Sequence, residues 1–412
     1  MSRRSKPVVV LRNNDICALG SVRSMGDAGH DVTVVGFNYA GSPAWTANES
    51  RYCAEFKEIS NPGADPVVAA AQLRKALDDV AERFGEVPAL VATSDTSLAL
   101  IDLLGPLNGL AIAMNSALYP AGEFDLNDKV VQGSVLQKSG VVTPESACWN
   151  DLRAKLSDGR LKFPIIAKPR KKGLVQSFYR RHGGLKAIKF VTKTDLDVSE
   201  EVIKNGSELI FQSYVEDGSK AEVCAYVSRR ESDGSCLTMS VRKHLVTPGA
   251  FGTASVVESV GSVDLEFLAK RLAEHLRWDG VLMVEFKFDE VDQEWKCLEV
   301  NFRPWLLIDF PRRHGLNFLG HWLGGGDDVI PDNRVTRLAA GYSHVSLQYL
   351  KSAIVERGVP MTTSSILGVL EAQGSAVSIA EWDAQDRDLS RRHLAKLNLT
   401  ELIPILEERM TV

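Results

Sequence analysis

Several features that would point to familiar classes of protein are missing from this chain. Its six cysteines, Cys17, Cys53, Cys148, Cys224, Cys236 and Cys297, are scattered, with no Cys-x-x-Cys pair and no histidine-rich spacing beside them. That excludes a zinc ribbon or a disulfide framework and fits a reducing compartment. No apolar run approaches a membrane span. The basic first residues carry an apolar run of only four, at 8–11, too short for the core of a signal peptide. A cytoplasmic protein with no membrane association is expected. A net charge of -5 gives no global reason to expect nucleic acid. The turn after the first apolar run, RNNDICALGSVRSMGDAG, lacks the G-x-G-x-x-G of a dinucleotide fold. There is no internal repeat, no low-complexity tract and no sign of a Ser-His-Asp or Cys-His unit.

What is present is a soluble globular composition, 44% apolar and 25% charged, over 412 residues, long enough for two or three domains. The first part alternates strand and helix signals. Strands are expected at 8–11, 32–35 and 89–92, and helices at 19–28, closed by Gly29, and 67–84. Such alternation predicts a parallel sheet. Ligands of these sheets gather at the carboxyl ends of strands. Asn13, Asn14, Asp15, Ser94 and Asp95 are therefore weak candidates for substrate contact, with plain capping and turn roles the simpler reading for each.

Further on, a helix is expected at 127–139, stopped by Gly140, and strands at 163–169, 208–215, 221–228 and 236–245. An amphipathic helix follows at 262–277. The most informative stretch is 280–303, read as two strands joined by an acidic turn. Glu285 lies within an apolar run. Glu299, Asn301 and Arg303 alternate with Leu298, Val300 and Phe302, so one face is polar and the other apolar. A lone strand glutamate is usually solvated or paired across strands. Two carboxylates, a carboxamide and a guanidinium sharing one face are costly to desolvate unless something compensates them. A divalent cation carrying phosphate does so, and magnesium favours one or two carboxylates plus phosphate oxygens.

Lys168 ends the apolar run at 163–167, where snorkelling at an edge is the usual role of a lysine. Here a basic loop follows, with Arg170, Lys171, Lys172, Arg180, Arg181 and His182 and with Gly173, Gly183 and Gly184. Glycines let backbone N–H groups approach phosphate, and the pattern predicts a flexible lid over a triphosphate. A nucleic-acid patch is the competing reading. Phe178 and Tyr179 keep it open, but regular aromatic interleaving is absent.

From about residue 120 to 323 the chain resembles the ATP-grasp enzymes, in particular the D-aspartate ligase-like and related carboxylate–amine ligases. The resemblance rests on Asn127-Asp128-Lys129, FPIIAKP at 163–169, the Gly183-Gly184 pair, FQSYV at 211–215, VRKH at 241–244 and EVNFR at 299–303. It implies an α/β fold, α+β in its ATP-grasp part. A Rossmann-like pre-ATP-grasp domain would span 1–118 and a two-lobed ATP-grasp domain 119–330, with its smaller nucleotide lobe at about 145–215. A helix-rich C-terminal extension would span 331–412.

The resemblance also implies roles. Lys129 and Lys168 would hold the phosphates of ATP. Gln212, Ser213, Tyr214 and Val215 would form the hinge, where backbone groups of Ser213 and Val215 read adenine. Glu222 would bind the ribose, with Glu216 as the alternative. Glu285, Glu299 and Asn301 would hold Mg2+, or Mn2+ in its place. Arg242 and Arg303 would contact the γ-phosphate or the intermediate. The implied function is an ADP-forming ligase that joins a small-molecule carboxylate, such as an amino acid, to an amine through an acyl phosphate. A homodimer is a common arrangement among such enzymes. A bicarbonate-dependent carboxylase and an inactive nucleotide-binding protein are the alternatives. The chain departs from the family in having Phe302 where Asn-Pro-Arg is usual, with Pro304 displaced. That leaves open the pocket near Trp305, Arg312, Arg313 and His314.

Overall fold

The computed structural model describes residues 5–13, 15–38, 47–105, 107, 109–114, 127–171, 174–216, 222–247, 252–324, 335–360, 362–373 and 377–409. Asn14, Lys172 and Gly173 lie outside the described residues.

The first sheet contains β1 (Pro7–Arg12), β2 (Asp31–Asn38), β3 (Cys53–Ser60), β4 (Ala89–Ala92) and β5 (Ile112–Ala113), all parallel, in the order β3-β2-β1-β4-β5. Its centre is apolar throughout because both faces are covered. Val8 and Val10 pack into one core and Val9 and Leu11 into another. Each such side chain contributes about 1.5–3 kcal/mol on burial. β3 was not foreseen. It is an edge strand carrying Glu55, Lys57 and Glu58, and charges of this kind blunt an edge against further pairing. The chain leaves β1 toward β2 on one side, while β4 lies on the other. A crevice therefore opens at the carboxyl ends of β1 and β4.

The small lobe is an antiparallel sheet of β6 (Ser146–Cys148), β7 (Ile165–Pro169), β8 (Ile188–Phe190) and β9 (Leu209–Ser213), in the order β6-β9-β7-β8. Ala147, Ile165, Ala167, Phe178 and Phe211 form its core.

The large sheet comprises β10 (Val223–Arg229), β11 (Cys236–Thr247), β12 (Thr253–Ser259), β13 (Gly280–Asp289), β14 (Glu294–Asn301), β15 (Val335–Arg337), β16 (Ser343–Val345) and β17 (Val377–Ile379). Its path is β14-β13-β10-β11-β12-β16-β17, with β15 beside β11. The helix Val263–His275 covers one face through Leu265, Ala269, Leu272 and Ala273. On the other face the helix Phe318–Leu323 packs against β10 at Ser228, and the part around Glu222 and Glu285 opens onto the cleft.

The C-terminal part is helical, with Leu347–Glu356, Thr363–Ala372, Arg387–Lys396 and Ile403–Arg409, and has its own core around Leu350, Ile366, Trp382 and Leu402. It also supplies β15, β16 and β17, three-residue strands too short to show a period in sequence. Among the described residues no helix is long and apolar enough to cross a membrane.

A buried ionic junction ties the first and last parts together. Arg23 reaches Asp386 at 3.3 Å, and Arg312 bonds Asp309 at 2.6 Å and also pairs with Asp383. Arg313 holds the other oxygen of Asp309 at 2.7 Å. Burial opposes the Asp309 carboxylate, but Arg313 and Arg312 hold its pKa far below the usual range. Arg312 and Arg313 are therefore bracing groups and do not line the adjoining cleft.

Candidate active site

A cleft of about 1040 Å³ lies between the large sheet, the small lobe and the carboxyl ends of β1 and β4. Its floor follows from strand register. Glu285 on β13 pairs directly with Glu299 on β14, and Met283 with Asn301 one strand period away. Direct partners share a face, so Glu285, Glu299 and Asn301 all rise from the floor. Asn301 Nδ2 lies 3.5 Å from Glu285 Oε1. On the other side of β13, Cys224 pairs with Glu285, and Glu222 stands two residues earlier on the same face. Glu222, Cys224 and Glu285 bring their donor atoms within 4.8 Å of one another.

Lys243 is a cleft residue that sequence reading missed. Its ammonium lies 3.1 Å from Glu285 and also binds Glu222. Burial opposes that charge, yet the surrounding acidic groups hold the lysine pKa well above its ordinary value. Burial likewise works against the Glu285 carboxylate, and Lys243 outweighs it, holding the pKa low. Glu222 goes the other way: burial pushes it up.

Arg242, singled out in sequence, points to the opposite side. It pairs in register with Val223 and with Glu258, where its guanidinium lies 3.7 Å from the carboxylate, and it does not line the cleft. The strand alternation forces one of the two adjacent cations inward, and that one is Lys243. Knowing which required the register with β10.

Lys168, at the end of β7, donates to Gln212 Oε1 at 3.0 Å and to the Leu298 carbonyl at 2.9 Å. That carbonyl is accessible because β14 bulges between Glu299 and Cys297, leaving Leu298 without a register partner. Lys129 opens the helix Lys129–Lys138, and its ammonium lies 3.6 Å from Glu299. The helix start is held in place twice. Asp128 caps it by accepting from the Val130 N–H at 2.9 Å and receives Arg170 Nε at 2.8 Å. The Lys129 N–H donates to the Arg170 carbonyl at 2.9 Å. Both expected lysines thus arrive at the hairpin.

Gln212, Ser213, Tyr214 and Val215 all line the cleft. The Ser213 N–H is committed to the Glu145 carbonyl at 2.8 Å, so it is not available to a ligand. The Val215 N–H has no hydrogen-bond partner among the described residues. Glu222 lines the cleft, whereas Glu216 is exposed and lies 3.7 Å from Lys189.

Gly183 and Gly184 are placed otherwise than expected. Their φ values of 59° and 89° end a short helix, Val175–Arg181, with the Gly184 N–H bonded to the Tyr179 carbonyl at 2.8 Å. Phe178 anchors that helix in the small-lobe core, so the segment is a pinned helix and the glycines do not line the cleft. Ser177, Tyr179 and Arg180 face it instead, together with Lys186, whose pKa is lowered by burial and which donates to Thr253 Oγ1 at 3.1 Å.

Arg303 extends from the hairpin to the first sheet's domain. Its Nε donates to Asp95 Oδ1 at 2.7 Å, and burial of the guanidinium is outweighed by that carboxylate, which raises its pKa. Asn13 Nδ2 donates to Ser94 Oγ at 3.0 Å, and Asn13, Ser94 and Asp95 all line the cleft. Burial pushes the neighbouring Cys17 thiol up to about 12, which leaves it protonated. Phe302 turns away from the cleft floor and packs on Trp278, ring centroids 4.9 Å apart. Trp305 walls the cleft against Tyr226 at 4.1 Å.

The donors suit a hard cation. Glu285, Glu299 and Asn301 offer three side chains with oxygen atoms on one face, the set that magnesium or manganese takes. The Cys224 thiol, its pKa raised by burial, stays protonated and is a poor ligand for such an ion.

No protein-family model matches the sequence, and no curated protein matches it significantly. Solved structures do match. The biotin carboxylase domain of 2-oxoglutarate carboxylase from Hydrogenobacter thermophilus, in complex with MgADP, ADP and bicarbonate, superposes with a TM-score of 0.60 at 15% identity, over 83% of this chain and 74% of that one. The L-amino acid ligase of Bacillus licheniformis gives 0.55 at 14% identity, over 78% and 74%. The N5-carboxyaminoimidazole synthetase of Staphylococcus aureus, complexed with ADP, gives 0.57 at 14%, over 82% and 80%. The fold is the ATP-grasp fold.

Proposed function

We propose that the protein is an ATP-dependent carboxylate–amine ligase that forms an amide through an acyl phosphate and releases ADP and phosphate. The observation that carries this reading is the polar cleft floor. Glu285, Glu299 and Asn301 share one face. Lys129 and Lys168 reach the hairpin from two other parts of the chain, and Arg303 follows on the hairpin itself and reaches to Asp95.

The chemistry asks for positioning and charge neutralisation, and little covalent work from the protein. A carboxylate oxygen attacks the γ-phosphorus and ADP leaves. The amine nitrogen then attacks the acyl carbon, phosphate leaves, and the nitrogen gives up a proton. Lys129 and Lys168 hold the phosphate chain. The Val215 N–H and the side chains lining the hinge hold the base, and Glu222 the ribose. Arg303 steadies the charge that develops at the transferred group. Glu285, Glu299 and Asn301 would hold Mg2+, which neutralises phosphate charge when bound.

Two of the three structural neighbours are named for carboxylation, one of them bound to bicarbonate, so a carboxylase acting through carboxyphosphate is the second reading. An ADP-release screen decides between them. The ligase reading expects release that needs a specific organic carboxylate and an amine, with hydroxylamine able to replace the amine and yield a hydroxamate. Release that needs bicarbonate and no other carboxylate supports the carboxylase instead.

A further inference from the structure

We infer that the short helix Val175–Arg181 replaces a glycine-rich lid and grips the γ-phosphoryl group with two side chains, the hydroxyl of Tyr179 and the guanidinium of Arg180. The inference rests on the ATP-binding reading above and adds the groups that would distinguish a triphosphate from a diphosphate.

The first observation is placement. Tyr179 and Arg180 line the cleft, while their neighbours on the same helix are used elsewhere. Phe178 is in the small-lobe core, and Arg181 bonds Glu201 at 2.7 Å. The second is availability. Among the described residues the Tyr179 hydroxyl has no hydrogen-bond partner and Arg180 has no ion pair. Tyr179 is half-buried in the cleft wall, where its hydroxyl can give its hydrogen bond to a ligand oxygen.

The third observation is position along the cleft. Tyr214 of the hinge lies under Lys287, whose ammonium is 5.0 Å from the ring. Burial raises the Tyr179 pKa, Glu299, Asp95 and Glu285 raise it further and Arg303 lowers it, so these charges lie within its electrostatic reach. From Lys287 back to Met283, the register partner of Asn301, is roughly 13 Å of strand. Tyr179 therefore stands at the end of the cleft remote from the hinge, where the terminal phosphoryl of a nucleotide seated on that hinge would lie. Two carboxylates already occupy the floor there. A neutral hydroxyl and a cation from above complete the contacts that a phosphoryl group requires.

Calorimetric titration of the full chain in Mg2+ with β,γ-imido-ATP and, separately, with ADP tests this without knowledge of the other substrates. Tyr179→Phe and Arg180→Ala are each expected to weaken imido-ATP about tenfold or more while ADP affinity stays within about twofold. Equal loss for both nucleotides would mean that the helix is only structural, and unchanged affinity for both would mean that neither side chain reaches the nucleotide. Either result overturns the inference. Failure of the wild-type chain to bind either nucleotide would instead overturn the ATP reading itself, and this one with it.

Discussion

Glu285 and Glu299 are direct register partners across β13 and β14, and each already has a cation beside it, Lys243 at 3.1 Å and Lys129 at 3.6 Å. Two carboxylates placed side by side repel unless something between or beside them carries positive charge. The lysines offset part of that repulsion from the periphery.

Glu285→Gln and Glu299→Gln are expected to leave the fold intact, with a slightly lowered melting temperature for Glu285→Gln, whose ionised form Lys243 stabilises. Each should lower the turnover number about 10²–10³-fold, as loss of a charge-organising group at a transition state does. ADP release and thermal melting on the same preparations check both halves.

Adjacent cations on β11 should behave oppositely. Lys243→Met leaves Glu222 and Glu285 without their shared partner in the cleft and should abolish turnover. Arg242→Ala, removed from a guanidinium on the far face, should change activity less than about twofold and stability by under about 0.5 kcal/mol. Comparable losses from the two variants would mean that the strand register is different.

Arg303 links the hairpin to Asp95 at 2.7 Å. Arg303→Ala should abolish ADP release while the protein remains folded. Asp95→Asn should be milder for catalysis, since the guanidinium stays, and should cost about 1.5–3 kcal/mol of stability in urea unfolding from loss of a charge-assisted hydrogen bond.

His321 is fully buried between Ser228 and Ser235, at 2.8 and 2.9 Å, and burial pushes its pKa from 6.5 down to about 4. The folded state keeps it neutral while the unfolded chain takes up a proton near pH 6.5. Between those values the unfolded state binds more protons, so stability falls as pH drops from about 6.5 to about 4. His344, lowered further by burial, adds to the same trend. His321→Gln should reduce the slope of unfolding free energy against pH in that window by up to about 1.4 kcal/mol per pH unit.

Legibility in the sequence followed burial pattern. β1 and β4 could be read because strands covered on both faces are continuously apolar, and the end of the hairpin because Glu299, Asn301 and Arg303 alternate with Leu298, Val300 and Phe302. β3, with Glu55, Lys57 and Glu58, and β12, with small and polar residues, carry no such signal. Glu285, Glu299, Asn301 and Lys168 could be named because each interrupts an apolar pattern, whereas Lys129 was legible only through the resemblance to the ATP-grasp enzymes. The choice between Arg242 and Lys243 could not be made, since either parity fits β11 until β10 is paired with it. Tyr179 and Arg180 lay within a loop rich in glycine and basic residues. The helix that aims them exists because Phe178 is buried, a tertiary fact.

The most direct measurement uses a substrate carboxylate labelled with ¹⁸O on both oxygens, once the ADP-release screen has identified it. Mass spectrometry then follows the label through a single turnover with ATP and amine. Acyl-phosphate chemistry at this site predicts one labelled oxygen in the inorganic phosphate formed with each ADP, and Glu299→Gln should form that labelled phosphate about 10²–10³-fold more slowly. Amide formation with unlabelled phosphate, or with the label appearing in AMP, would contradict it.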